Sequence, residues 1–284
     1  MRFARSILAA ALCAAGSGCL LRPAPFSPLL PISPLPATVG EAIDSARTGW
    51  PEPKTFQAQG DLTIQGEGVR GKERLGANLL YAAPDRARLR ASKMPVGTVF
   101  EALQIGDAVD IKLNRERLIF RGTIDDLAAR PGALGAVRPR DVIHAILIGQ
   151  RAAAEMDQAK DSARLARFDG DRAVLEGADG MEEYVVRRRD GLIEEARLYE
   201  PGGGGRRLAL VVEYKRWIER DGMVLPSQME IRSEEPRTRV DVRIDATRFD
   251  PPLGARVFEM PAEPGVETRP LSELFEAPMP DEEE

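Results

Sequence analysis

The chain has one histidine, His144, and two cysteines, Cys13 and Cys19, and these scarcities remove several chemistries at once. A two-histidine metal site needs a second imidazole, and none exists. Both cysteines fall in a segment laid out like an export signal, with Arg2 and Arg5, a mostly apolar run over residues 6–15, and the small residues Gly16, Ser17 and Gly18. Cleavage there discards Cys13 and leaves Cys19 alone, so no internal disulfide forms even in a compartment that permits one. The apolar run stops well short of the roughly 20 residues of a membrane-crossing helix. Aromatic residues make up 5% of the chain and acids outnumber bases 45 to 40, or 45 to 38 once Arg2 and Arg5 are removed, a net charge of −7. A chain poor in basic charge and in stacking rings is a poor nucleic-acid binder. With no G-x-S-x-G elbow and no partner for His144, the expectation is a protein that is not an enzyme and that uses no metal and no cofactor.

Three small residues directly before Cys19 resemble the lipobox of bacterial lipoproteins, although Gly16 stands where that motif prefers leucine. The resemblance implies cleavage before Cys19 and a diacylglycerol on its thiol; the alternative is an ordinary signal peptide whose cysteine is incidental. Acyl chains anchor stably when two or more are present, at about 0.8 kcal/mol per buried methylene. Prolines at 23, 25, 28, 31, 34 and 36 then favour an extended polyproline tether. The expected organisation is a signal over 1–18, a tether over 19–37, a folded domain over 38–267 and an acidic tail over 268–284.

Thr38 and Glu41 have capping-box spacing, and Val39, Ala42, Ile43 and Ala46 form a helical stripe ending near Gly49. From Phe56 the period becomes two. Strands are expected over 56–65, 73–81, 86–91, 98–105, 108–114 and 117–121, then over 162–168, 171–177, 181–188, 191–199, 206–217, 223–232 and 238–247. Two short helical stretches, "IDDLAARPG" and "RPRDVIHAILIGQ", separate these blocks. One wet face in nearly every strand, with no long helices between strands, describes a curved antiparallel sheet whose concave face lies over helices.

Several motifs point to chemistry that the context denies. "GEGVRGKE" over 66–73 approaches a phosphate loop, but Glu73 stands where a hydroxyl must bind magnesium, and a strand follows instead of a helix. Asp125–Asp126, Glu182–Glu183 and Glu194–Glu195 are sequence neighbours, and neighbours in a strand point to opposite faces, so the latter two are no catalytic dyad. Arg187–Arg189 is split likewise across a strand, with contact to anionic headgroups as the alternative to solvated charge. "PGGGG" over 201–205 is a flexible hairpin loop.

"FQAQGDLTIQGEGVRGKERLGANLLYAAPDRARLRA", "GTVFEALQIGDAVDIKLNRERLIFRG", "YKRWIERDGMVLPSQMEI" and "RFDPPLGARVFEMPAEPGVE" resemble the LolA/LolB-like superfamily of envelope lipoprotein carriers and its uncharacterised lipoprotein relatives. The resemblance runs from Thr38 to Glu267. It implies a mainly β fold, a highly curved antiparallel sheet forming an unclosed barrel partly lidded by helices, with an apolar cavity that accepts acyl chains. Leu62, Ile64, Leu79, Leu89, Phe100, Leu103, Ile111, Leu208, Leu210, Val212, Val240, Val242 and Ile244 are the alternates that line such a cavity or fill an ordinary core. A membrane-inserting loop, as the resemblance implies, falls on Met94 and Val96. The expected role is an anchored envelope lipoprotein that binds or transfers lipid or lipoprotein acyl chains without bond chemistry. Its partners would be lipids, acylated lipoproteins or an envelope complex; the alternative is a tethered interaction or sensing module with a filled core. Leu20 after Cys19, in place of an aspartate, points to the outer membrane, facing the periplasm.

Overall fold

The computed structural model describes Glu41 and residues 53–66, 71–128, 139–150, 152, 166–177, 179–202, 204–220, 222–233, 237–261 and 263–274. Cys19, the tether and most of the helix expected from Thr38 lie outside the described residues. Each of the thirteen alternating segments holds a strand: β1 (Thr55–Gly66), β2 (Glu73–Ala82), β3 (Arg86–Lys93), β4 (Gly97–Ile105), β5 (Ala108–Leu113), β6 (Leu118–Thr123), β7 (Ala166–Asp169), β8 (Arg172–Glu176), β9 (Glu182–Arg187), β10 (Ile193–Gly202), β11 (Gly205–Arg220), β12 (Met223–Ser233) and β13 (Thr238–Phe249). Helices α1 (Ile124–Ala128) and α2 (Pro139–Ile146) separate the two blocks. A fourteenth strand, β14 (Glu267–Pro270), follows.

All strands join one sheet in the order β14-β6-β5-β4-β3-β2-β1-β13-β12-β11-β10-β9-β8-β7. Two antiparallel meanders thus meet at the β1–β13 pair, and the chain passes through α1 and α2 from one edge region of the sheet to the other. The sheet does not close into a barrel. At the central seam, the β1–β13 register shifts between Gln59 and Gly60, and a Cβ on Gly60 would sit 1.8 Å from the Arg243 carbonyl oxygen. Only glycine permits that approach.

Phe56, Leu62, Leu79, Leu89, Val240 and Val242 of the inner faces are buried against Val142, Ile143, Ile146 and Ile148 of the helical segment. α2 contacts β3 and β4 of one meander and β12 of the other, so it fills the concavity where the two halves face each other. α1 opens on a reciprocal cap: the Thr123 amide and hydroxyl both donate to Asp126 Oδ2, at 2.7 and 2.9 Å, which holds that carboxyl below the usual carboxylate range.

A second, smaller core lies on the opposite face. Leu103 and Ile119 pack there with Phe258 and Met260 from the segment after β13, which runs back across the outside of the first meander. That segment is held as a strap. Arg88 Nη1 donates to the Val257 carbonyl at 2.7 Å, Arg121 Nη2 to Met260 at 3.0 Å and Arg117 Nη2 to Pro264 at 2.9 Å, while Lys112 Nζ pairs with Glu263 at 2.6 Å. β14 then adds in parallel to β6, and Leu271 and Leu274 enter the main core. The folded chain therefore runs on through Leu274, beyond Glu267, where the acidic tail was expected to begin.

Candidate functional site

The interior face is the place to look for a site, because most of the apolar alternates converge there. Leu62, Leu79, Leu89, Phe100, Ile111, Leu210, Val212, Val240, Val242 and Ile244 all belong to the main core, with Ile64 packed against it. Two expected members do not. Leu103 faces outward into the strap cluster, because β4 is covered on both faces and its wet side is not wet. Leu208 is only half-buried and stands opposite Tyr199, since a bulge between Leu198 and Tyr199 shifts the β10–β11 register and turns it away from Leu210.

Among the described residues the concavity is largely filled by packed side chains. Between α2 and the second meander remains a recess of about 10 Å³, space for roughly one water. Leu198, Leu210, Val212, Ile231, Ala145 and Ile148 make its apolar wall, and Asp141, His144, Glu182, Tyr184 and Tyr214 its polar margin. The Tyr184 hydroxyl donates to Glu182, and Arg140 Nε donates to His144 Nε2 at 3.1 Å. Among the expected residues only Leu210 and Val212 line this recess. Tyr184 and Tyr214 escaped the sequence reading because "EEYVVR" and "VVEYKR" carry their aromatic among charged neighbours, although both obey the two-residue period.

Outside the same strands lies a wider cleft of about 340 Å³. Val174 and Val185 line it with Arg167, Arg172, Arg197 and Lys215 and with Asp169, Glu194, Glu195 and Glu213; Tyr214 borders it as well. The cations and acids here are interleaved. Nearby Glu183 is buried and paired with Arg197 at 2.8 Å and Arg167 at 3.2 Å. Burial presses its carboxyl upward, but the two guanidinium groups prevail and hold it below the usual range. Arg187 is bound to Asp190 at 2.7 Å, and Arg188 lies over the Phe168 ring at 4.4 Å, so the arginine run serves local contacts.

At the end of the sheet carrying the β3–β4 turn, Met94 is 91% exposed and Val96 64%. Gly97, with φ at +89°, reverses the chain there. Among the described residues no helix is long and apolar enough to cross a membrane, and no three His, Cys, Asp or Glu side chains are placed to hold a metal ion.

No protein-family model and no curated protein sequence matches the chain. Solved structures do. A LolA superfamily protein from Nitrosomonas europaea superposes with a TM-score of 0.51 at 12% identity, covering 79% of this chain and 99% of its own. A DUF1329 family protein from Desulfovibrio piger gives 0.51 at 14%, covering 78% and 97%. A putative outer membrane lipoprotein-sorting protein domain from Vibrio parahaemolyticus gives 0.51 at 10%, covering 77% and 94%. The unclosed, mostly β architecture of this chain is thus a fold it shares with these three structures, a LolA superfamily protein among them.

Proposed function

We propose that this chain is a lipid-anchored protein of the bacterial envelope, facing the periplasm from the outer membrane, that binds or passes on lipid or lipoprotein acyl chains without bond chemistry. The observation that carries the reading is a concave apolar face on which α2 packs, in a fold shared with a putative outer membrane lipoprotein-sorting protein domain. Exchange is energetically balanced. A sixteen-carbon chain gains roughly 12 kcal/mol on burial at about 0.8 kcal/mol per methylene, and lifting Val142, Ile143, Ile146, Leu147 and Ile148 out of the core forfeits roughly 8–15 kcal/mol at about 1.5–3 each. Near-equality of these terms is what reversible transfer requires. Met94 and Val96 serve as the loop that enters the bilayer, and Cys19 carries the anchor.

The first test is a native mass spectrum of the protein with Cys19→Ser, followed by identification of co-purifying lipid. A stoichiometric acyl-bearing adduct is expected; a bare chain that stays bare when fatty acid or lipopeptide is added refutes the carrier role. The resting recess of about 10 Å³ favours a second reading, a tethered interaction module with a filled core, and that bare chain is its expected result.

A further inference from the structure

The wall of the sheet is parted between two of its strands. β11 pairs with β10 only over residues 205–213, and over residues 214–220 its described strand neighbour is β12 alone. β10, for its part, begins at Ile193 paired to β9 and meets β11 only from Glu195. On β10 the parting takes in Ile193 and Glu194, beside Tyr214 and Lys215, and from there β11 runs on past the start of β10. Side chains close it. Trp217 reaches across from β11 and donates its indole N–H to the Ile193 carbonyl at 3.2 Å, and the Tyr214 ring lies against it with centroids 5.4 Å apart. Tyr214 stands in the parting itself, because it borders both the inner recess and the outer cleft.

We propose that this parting is a side portal through which an amphiphile binds, its single acyl chain passing Tyr214 into the recess while a zwitterionic headgroup stays in the outer cleft. This rests on the acyl-chain reading and names its ligand class and its route. The inner wall is apolar, which suits a hydrocarbon chain, and the outer rim is charged, which suits a headgroup. Arginines on that rim match a phosphate; the interleaved Glu194, Glu195 and Glu213 match an ammonium group. A headgroup of one sign would meet like charges on half of the rim. With about 10 Å³ free at rest, the recess opens for one chain by movement of the Tyr214 ring, whereas two chains require further strands to separate. Opening at that point breaks the Trp217 hydrogen bond to the Ile193 carbonyl.

The test uses the two tryptophans of the chain. In the full-length Cys19→Ser protein with Trp50→Phe, Trp217 is the sole indole, and lysophosphatidylcholine brominated along its chain is titrated while indole emission is recorded. At least twofold saturable quenching is expected. Lys215→Glu should weaken it about fivefold, with circular dichroism unchanged, and the reversal of exposed Arg172, Arg172→Glu, should do the same. Dodecyl maltoside, which offers a chain and an uncharged headgroup, should compete at least fivefold less well than dodecylphosphocholine. If native mass spectrometry shows lipid bound while Trp217 is unquenched, or if neither charge reversal changes affinity, the chain enters elsewhere; the portal is refuted and the carrier role stands. If no lipid binds at all, both are refuted.

Discussion

Replacing Arg88 by methionine should destabilise the protein out of proportion to the small area involved. The Arg88 guanidinium is 14% exposed, lies 2.5 Å from a Glu101 carboxylate that is 10% exposed, and donates at 2.7 Å to the Val257 carbonyl of the strap. Removing one partner of a buried pair strands the other charge, at about 3–5 kcal/mol. Arg90, 3.2 Å from the same Glu101 oxygen and half exposed, keeps part of the compensation, so the expected loss is about 2–4 kcal/mol. In urea, with a slope of about 3 kcal/mol/M for a domain this large, that lowers the midpoint by roughly 1 M. The double variant Arg88→Met, Glu101→Leu should recover most of the loss, because an apolar pair in a partly dry interface has no charge left to desolvate. The pH dependence follows from burial, which alone would raise the Glu101 carboxyl, and from Arg88 and Arg90, which bring it below its ordinary value. A folded-state value below the unfolded one of about 4.3 contributes stability that is complete above that pH and lost as pH falls through the lower value. The gap between wild type and Arg88→Met should therefore narrow below about pH 4. Strictly additive single variants, or a gap that persists at pH 3, would show that the pair carries no coupling and that the strap is held by its apolar contacts alone.

Ile143→Ala, which cuts the buried face of α2, should cost about 2–5 kcal/mol in the same denaturation assay and increase the lipid retained in native mass spectra, since the lid is weakened. Met94→Asp with Val96→Asp should leave stability within about 0.5 kcal/mol and reduce sedimentation with phospholipid vesicles; unchanged sedimentation removes that loop from the membrane contact. Gly60→Val should lose about 3 kcal/mol or more, read as early thermal unfolding, because its Cβ collides with backbone at the seam of the two meanders. Cys19→Ser should abolish incorporation of labelled palmitate and release the protein from the membrane fraction; retained label would place acylation elsewhere.

Period-two alternation was enough to locate the strands, since in a sheet with one wet face every second side chain must be apolar, as in Val240, Val242 and Ile244 between Asp241 and Arg243. Met94 and Val96, which the family resemblance put in a loop, stand exposed at the β3–β4 turn. Alternation misleads where a strand is covered on both sides. Leu103, expected among the inner alternates, shares a face with Glu101 and not with Phe100; both are dry because the strap that covers that face comes from more than 150 residues away in the chain. β14 carries no alternation of its own, as its four residues are ordered by pairing with β6 and by the docking of Leu271 behind it. Leu208 was misplaced by a single extra residue in β11, a register change that only strand pairing reveals. The sequence by itself determined the antiparallel, two-block β architecture and its apolar inner face, because local periodicity encodes which face is dry. Only the tertiary structure decided that α2 fills the concavity, that the outside of one meander is strapped while the other is a charged cleft, and that β10 and β11 part at Tyr214, because each depends on contacts between segments far apart in the chain.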